Sequence, residues 1–138
     1  MEILVDTCIW LGLSNGEISG AAIFNKIKDA DAYCSVITLG ELEFGIASCD
    51  DAQEREKRQK FFDDLLAFPL LTIAPSTAKI FGRFATVVKR RQTQPQENPR
   101  RRYHDLWIAA QAVESGFALL TDNQSDFKDL PGLQLLTL

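Results

Sequence analysis

The chain has 138 residues, of which 46% are hydrophobic and 25% charged, with a formal net charge of −4 at pH 7. A chain of this length can bury one hydrophobic core, so we expect a single domain over residues 1–138. No apolar run approaches the roughly 20 residues of a membrane helix, and Glu2 stands where a signal peptide carries positive charge. We therefore expect a cytoplasmic protein with no membrane partner.

The cysteines argue against two further classes of protein. Cys8, Cys34 and Cys49 form no CxxC pair, and their number is odd. A complete disulfide framework needs an even number of cysteines, and a cysteine zinc site needs closely spaced pairs. We interpret the three residues as reduced thiols of the core.

Short apolar runs alternate with helical patterns along the chain. In chain order we predict a strand at 3–5, a helix at 17–28, a strand at 33–37, a helix opening at 38–41, a helix at 51–67, a strand at 70–73, a helix from 76, a loop at 92–102, a helix at 104–115, a strand at 117–121, a polar turn at 122–126 and a strand at 133–138.

This alternation indicates an α/β fold, a sandwich around a central, mainly parallel sheet of four to five strands. Gly116 follows the late helix, in the place of a left-handed C-terminal cap. In open α/β sheets ligands bind at the carboxyl edge of the strands. Polar residues that follow the strands are therefore the candidates for a functional site.

Acidic residues stand at several of these places. They are Asp6 after the first strand, Glu41 in the first helical turn after the second, Asp105 at the start of the late helix, and Asp122 or Asp126 after the fourth strand. Carboxylates around one cavity suit Mg²⁺, which takes oxygen ligands and keeps several waters. Such a cation lowers the pKa of a water and offsets charge on a phosphate.

Each acid also has a structural explanation. Asp6 fits the cap of a turn, and Thr38 with Glu41 fits a capping box, in which the two side chains satisfy amides at the helix start. Asp105 suits the positive end of a helix dipole. Asp122 and Asp126 suit a turn. Their common placement at one sheet edge is what favours a shared site.

Basic residues cluster in one segment. Lys79 to Arg102 contains eight basic residues and one acid, Glu97. This asymmetry indicates a basic face beside an acidic site, which suits a phosphate backbone. A solvated helix face followed by a loop explains the same cluster.

Four segments resemble, in order, the motif regions of PIN-domain ribonucleases, specifically the VapC-type toxins of toxin–antitoxin pairs. They are LVDTCIW (4–10), ITLGELEFGIA (37–47), HDLWIAAQAVESG (104–116) and LLTDNQSDFKDLPGLQLL (119–136). The DT and ExxxG matches are weak alone, whereas the D-x-x-IAA helix and the T-x-N-x-x-DF-x-x-x-PGL ending are more specific. The resemblance implies a PIN-like three-layer α/β/α sandwich.

Carried over residue by residue, the resemblance implies that Asp6, Glu41 and Asp105 bind magnesium. Many relatives have an acid where this chain has Asn123, so the fourth carboxylate is open, with Asp126 preferred and Asp122 its rival. Thr121 and Asn123 are expected to support the site. A further departure is His104, where asparagine is frequent, and we expect it to be a supporting or capping residue.

The implied function is an endoribonuclease toxin in which Mg²⁺, with Mn²⁺ as an alternative, activates water for attack on an RNA phosphodiester. The expected products carry a 5′-phosphate and a 3′-hydroxyl. The residues expected to hold the RNA backbone are Lys89, Arg90, Arg91, Arg100, Arg101 and Arg102. The resemblance further implies a cognate antitoxin protein and a homodimer. The alternative is a catalytically weak RNA-binding or protein-interaction module on the same fold.

Two other classes that use an aspartate after the first strand fit poorly. A haloacid-dehalogenase-type phosphotransferase needs a second acid two residues on, where this chain has Cys8. A receiver domain needs a phosphoacceptor aspartate after its third strand, where Ile73, Ala74 and Pro75 follow instead.

Overall fold

A computed structural model describes residues 1–91 and 102–138. In this part of the chain the strands are β1 (Glu2–Val5), β2 (Asp31–Ser35), β3 (Leu70–Leu71), β4 (Ala118–Leu120) and β5 (Leu135–Leu136). The helices are α1 (Thr7–Ser14), α2 (Gly20–Ile27), α3 (Val36–Ala47), α4 (Ala52–Leu65), α5 (Pro75–Arg91), α6 (Tyr103–Ser115) and α7 (Gln124–Phe127). No helix among the described residues is long and apolar enough to cross a membrane.

The described strands form one sheet in the order β3-β2-β1-β4-β5, and every neighbouring pair is parallel. β1 lies in the middle, with Ile3 in register with Ala32 of β2 and with Ala118 of β4. The predicted parallel sheet is confirmed. Its carboxyl edge brings the residues after β1, β2 and β4 side by side.

Helices cover both faces of the sheet, as the alternating side chains of β1 require. Leu4 packs on the face covered by α5, α6 and α7, against residues such as Phe84 and Leu106. Ile3 and Val5 pack on the opposite face with side chains of α1 to α4, including Trp10. The central strand is thus buried on both sides, which fixes the position of the residue that follows it.

The predicted boundaries differ from the structure at three sites. Helix α1 follows β1 directly and was not predicted. β2 ends at Ser35, whose hydroxyl accepts a hydrogen bond from the Ile37 amide at 3.0 Å and caps α3. The predicted capping box of Thr38 and Glu41 is therefore wrong, because both residues lie inside a helix that has already begun. The predicted polar turn at 122–126 contains the start of α7.

Other predictions from the sequence are confirmed in full or in part. α6 ends where Gly116 adopts a left-handed conformation with φ of 73°. Of the three free cysteines, Cys34 is fully buried, as predicted, whereas Cys8 and Cys49 are only half-buried, so the prediction of a core position is wrong for these two. Burial raises the pKa of Cys34 to about 12, which makes it unreactive. The loop predicted at 92–102 lies outside the described residues except for Arg102.

Candidate active site

Asp6 lies at the centre of the carboxyl edge and is only 1% exposed. Its backbone serves two elements, because its amide donates to the Leu120 carbonyl at 2.9 Å and its carbonyl accepts from the Ile9 amide at 3.1 Å. The residue therefore ends β1 and caps α1 at once. This double role leaves the carboxylate little freedom of position.

Three donors hold the Asp6 carboxylate. The Thr7 amide donates to Oδ1 at 2.8 Å, while the Thr121 hydroxyl donates to Oδ2 at 2.8 Å. The Cys8 thiol lies 3.4 Å from Oδ2. Burial nevertheless raises the pKa of Asp6, with a further contribution from the charge of Asp122. The hydrogen bonds offset only part of the cost of burying this charge.

Glu41 lies in the second turn of α3, half-buried, and its Oε1 accepts a hydrogen bond from Nδ1 of His104 at 3.0 Å. Burial raises the pKa of Glu41, His104 opposes this effect, and the charge of Asp6 adds to it. The expected supporting position of His104 therefore agrees with the geometry. The imidazole joins α3 to α6 across the site.

Asp105 lies in the first turn of α6 and is half-buried. Burial, followed by the charges of Asp6 and Glu41, raises its pKa to about 6, and the charge of Arg102 opposes this rise. Three acids from distant segments thus lie within electrostatic reach of one another. Their mutual repulsion is the kind of cost that a bound cation removes.

The two candidates for the fourth acid occupy different surroundings. Asp126 is half-buried on α7, and its charge contributes to the raised pKa of Asp105. Asp122 is exposed, and its charge acts on Asp6. Both acids reach the cluster, but Asp126 lies in the more enclosed position. The preference for Asp126 over Asp122 as the fourth acid stays a prediction.

The two supporting residues differ in what they contribute. Thr121 is fully buried, donates to Asp6 and accepts a hydrogen bond from the Asn123 amide at 3.0 Å. Asn123 is exposed and acts through this backbone amide, since its side chain gives no capping hydrogen bond to α7. Thr121 therefore positions the central carboxylate directly.

A pair of buried threonines beside the acids was not predicted as part of the site. The hydroxyls of Thr7 and Thr38 lie 2.8 Å apart and join α1 to α3 between Asp6 and Glu41. The sequence predicts Thr38 as part of a helix cap and predicts no role for Thr7 beyond the DT match. Their proximity in sequence to the two acids was the available signal.

The predicted RNA-binding residues fall into three groups, which are exposed, paired within the protein, or outside the described residues. Lys89 and Arg90 are exposed at the end of α5. Arg91 pairs with Asp129, with Nη1 to Oδ2 at 3.0 Å, and Arg102 donates to the backbone carbonyl of Asp126. Arg100 and Arg101 lie outside the described residues.

The chemistry of the acids fits a hard divalent cation. Carboxylate oxygens are the ligands that Mg²⁺ takes, and the site joins buried and half-buried acids whose pKa values are raised. In the described ranges no three His, Cys, Asp or Glu side chains are already close enough to hold one ion.

Most of the chain matches a known protein family. Residues 3–133 match the PIN domain. The chain belongs to the PIN domain family.

The PIN domain is similar over its full length to two named relatives. It is 33% identical to the protein named Ribonuclease VapC of Rickettsia bellii (strain RML369-C), an alignment that covers 99% of this chain and 96% of the relative. It is 31% identical to Ribonuclease VapC1 of Rickettsia felis, with the same coverage. The family resemblance inferred from the four motifs is confirmed.

Solved structures share the fold. The crystal structure of VapBC2 from Rickettsia felis bound to a DNA fragment from their promoter matches with a TM-score of 0.78 and 22% identity, covering 99% of this chain and 98% of that one. The structure of VapBC-1 from nontypeable Haemophilus influenzae matches with a TM-score of 0.75 and 24% identity, with equal coverage. The expected PIN-like α/β/α architecture is confirmed.

Proposed function

We propose that this PIN domain is a magnesium-dependent endoribonuclease of the VapC toxin type. The observation that carries the proposal is the convergence of Asp6, Glu41 and Asp105, which come from distant segments, at the carboxyl edge of the sheet. The charge of Asp6 raises the pKa of both Glu41 and Asp105, and the charge of Glu41 also raises that of Asp105. Full-length similarity to proteins named Ribonuclease VapC supports RNA as the substrate.

We assign Asp6, Glu41, Asp105 and Asp126 as the residues that would hold the cation, with Asp122 as the alternative fourth acid. A bound Mg²⁺ or Mn²⁺ would supply a Lewis acid that lowers the pKa of a water and offsets charge on the phosphate. The buried Asp6, held by Thr7 and Thr121, fixes the centre of the site. Water attack at phosphorus with departure of the 3′ oxygen leaves a 5′-phosphate and a 3′-hydroxyl.

The other residues would bind and orient the substrate. Lys89 and Arg90 are exposed and suited to backbone phosphates, contacts that position a strand without specifying its sequence. We expect sequence preference to come from the shape of a folded RNA and its loops. His104 would keep the Glu41 carboxylate directed at the site.

We further propose a cognate antitoxin protein as partner, and a homodimer. One of the structural neighbours is described as a member of the VapBC family of toxin-antitoxin systems. In this chain an apolar cleft of about 680 Å³ lies beside Glu41 and His104, with Leu11 and Phe44 in its lining. Phe44 is 75% exposed, as expected of a side chain that a protein partner would cover.

The direct test is cleavage of purified cellular RNA by the purified protein. We expect cutting with Mg²⁺, none with excess chelator, and recovery on adding Mn²⁺. Asp105→Asn should abolish cutting, whereas Asp50→Asn, an exposed acid outside the site, should leave it intact. A folded wild-type protein that cuts no RNA with either metal contradicts the proposal and favours the binding-module alternative.

A further inference from the structure

Two arginines, one at the end of α5 and one just before α6, converge on one backbone carbonyl of α7. Arg91 is the last residue of α5 and Arg102 precedes α6. Nη2 of Arg91 donates to the Asp126 carbonyl at 3.5 Å, and Nη2 of Arg102 donates to the same oxygen. Nη1 of Arg91 also contacts Oδ2 of Asp129 at 3.0 Å. We call Arg91, Arg102, Asp129 and the Asp126 carbonyl the α7 clasp.

The clasp holds a helix that is short and has no side-chain cap at its start. The helix has four residues, and Asn123 at its start provides no side-chain cap. The last carbonyls of a helix have no partners within it, and they form the negative end of its dipole. The two guanidinium groups give one of these carbonyls hydrogen-bond donors and place positive charge at the negative end of the helix dipole. A helix too short to be stable alone is thus held from its C-terminal end.

The position of α7 bears directly on the acids. Asp126 lies on this helix, so a shift of α7 moves its carboxylate relative to Asp105. Arg102 lies within electrostatic reach of Asp105, three residues further along the chain. The same guanidinium group therefore connects the start of α6 to the carbonyl of the candidate fourth ligand.

We propose that Arg91 and Arg102 are positioning residues that hold Asp126 against Asp105, and that they do not serve as RNA-phosphate contacts. This inference rests on the proposed ribonuclease function. The Arg91 side chain is only 27% exposed and already paired with Asp129. Its neighbour Arg90 has the same charge. Because Arg90 is exposed, it can contact a phosphate of the RNA backbone.

Steady-state kinetics separate the two roles. A phosphate contact contributes mainly to binding, so its loss raises KM and weakens the dependence of binding on salt. A positioning residue acts on the geometry of the reacting groups, so its loss lowers kcat. We expect Arg91→Gln and Arg102→Gln to lower kcat about 10-fold with little change in KM. Arg90→Gln, the matched control, should raise KM and leave kcat unchanged.

Asp129→Ala gives the sharpest contrast, because it breaks the clasp without removing a positive charge. If Arg91 bound phosphate, freeing it from Asp129 would lower KM. Positioning predicts instead that kcat falls as in Arg91→Gln, and that the double variant is no slower than either single one. Asp129 is exposed, so the alanine should not prevent folding.

Two readouts do not depend on RNA cleavage. Hydrogen exchange at the Asp126 amide, bonded to the Asn123 carbonyl at 2.9 Å, should become faster in Arg91→Gln and Asp129→Ala but not in Arg90→Gln. Calorimetric titration with Mn²⁺ should show weaker binding in the same two variants.

The outcomes separate the inference from the proposed function. If wild-type protein cuts RNA but the clasp variants show an unchanged kcat and a raised KM, the inference is wrong and the proposed function stands. If wild-type protein does not cut, the function fails, and exchange and Mn²⁺ affinity decide the clasp alone. If Asp129→Ala changes neither the hydrogen exchange of the Asp126 amide nor the affinity for Mn²⁺, the inference about the clasp is wrong.

Discussion

The two ends of the acid cluster are held by different means. Asp6 follows the central strand, is 1% exposed and receives hydrogen bonds from a backbone amide and a buried hydroxyl. Asp126 lies half-buried on the four-residue helix α7. Two arginines, one at the end of α5 and one just before α6, donate hydrogen bonds to its backbone carbonyl. Asp6, the inner acid, is held in place by the sheet. Asp126, the outer acid, depends on the long side chains of Arg91 and Arg102. Substitutions at the inner end should therefore have the larger effects.

The largest effect is expected for Asp6→Asn. Removing this carboxylate takes away several kcal/mol of charge stabilisation through the cation, so cleavage should fall on the order of 1000-fold. The metal-free protein should be no less stable, because a buried charge with a raised pKa is removed. Cleavage assays and thermal unfolding measure the two effects. Activity within about 10-fold of wild type would remove Asp6 from the centre of the site.

The outer end is tested by comparing Asp126→Asn with Asp122→Asn. The half-buried Asp126 acts on Asp105, so its loss should lower kcat about 30-fold, whereas loss of the exposed Asp122 should cost less than about 3-fold. Kinetics with Mg²⁺ decide between them. The opposite order would make Asp122 the fourth acid and leave α7 outside the site.

This contrast also explains how much was predictable. Asp6, Glu41 and Asp105 follow or begin strongly patterned elements, and parallel strands bring such residues to one edge, so the sequence predicted their proximity. The contacts of Arg91 and Arg102 with α7 span 35 and 24 residues, and no local pattern encodes such pairings.

The errors have local physical causes. Helix α1 is short, and it contains buried residues such as Ile9, Trp10 and Gly12, so it lacked a clear polar face to mark it as a helix. Val36 and Ile37 favour strands by propensity, but Ser35 caps α3 before them. The capping-box interpretation of Glu41 is wrong for the same reason, because α3 already begins at Val36. Glu41 nevertheless lies beside the other acids.

A smaller effect is expected at His104, between the two ends. Its imidazole donates to Glu41 at 3.0 Å but is 67% exposed, so His104→Ala should lower kcat only about 5-fold. His104→Asn keeps a donor and should retain most of the activity. Equal losses in both variants would mean that the hydrogen bond to Glu41 is not what His104 contributes.

The smallest effect concerns stability and pH without metal. The pKa of Asp105 is raised to about 6 in the folded protein, from a usual value of 3.8. Between these values the folded state binds more protons than the unfolded chain, so the free energy of unfolding falls as pH rises from about 4 to about 6. After allowance for solvent screening, Asp105→Asn should reduce this decline by about 1 kcal/mol. Urea unfolding across the window measures it, and an unchanged slope would argue against a perturbed Asp105.

The central claim is that acids from distant segments form one cation site, and calorimetric titration of Mn²⁺ into the purified protein tests it most directly. We expect saturable binding by wild-type protein, lost in Asp6→Asn and in Asp105→Asn and retained in Asp50→Asn. Binding that survives both substitutions in folded protein would contradict the claim.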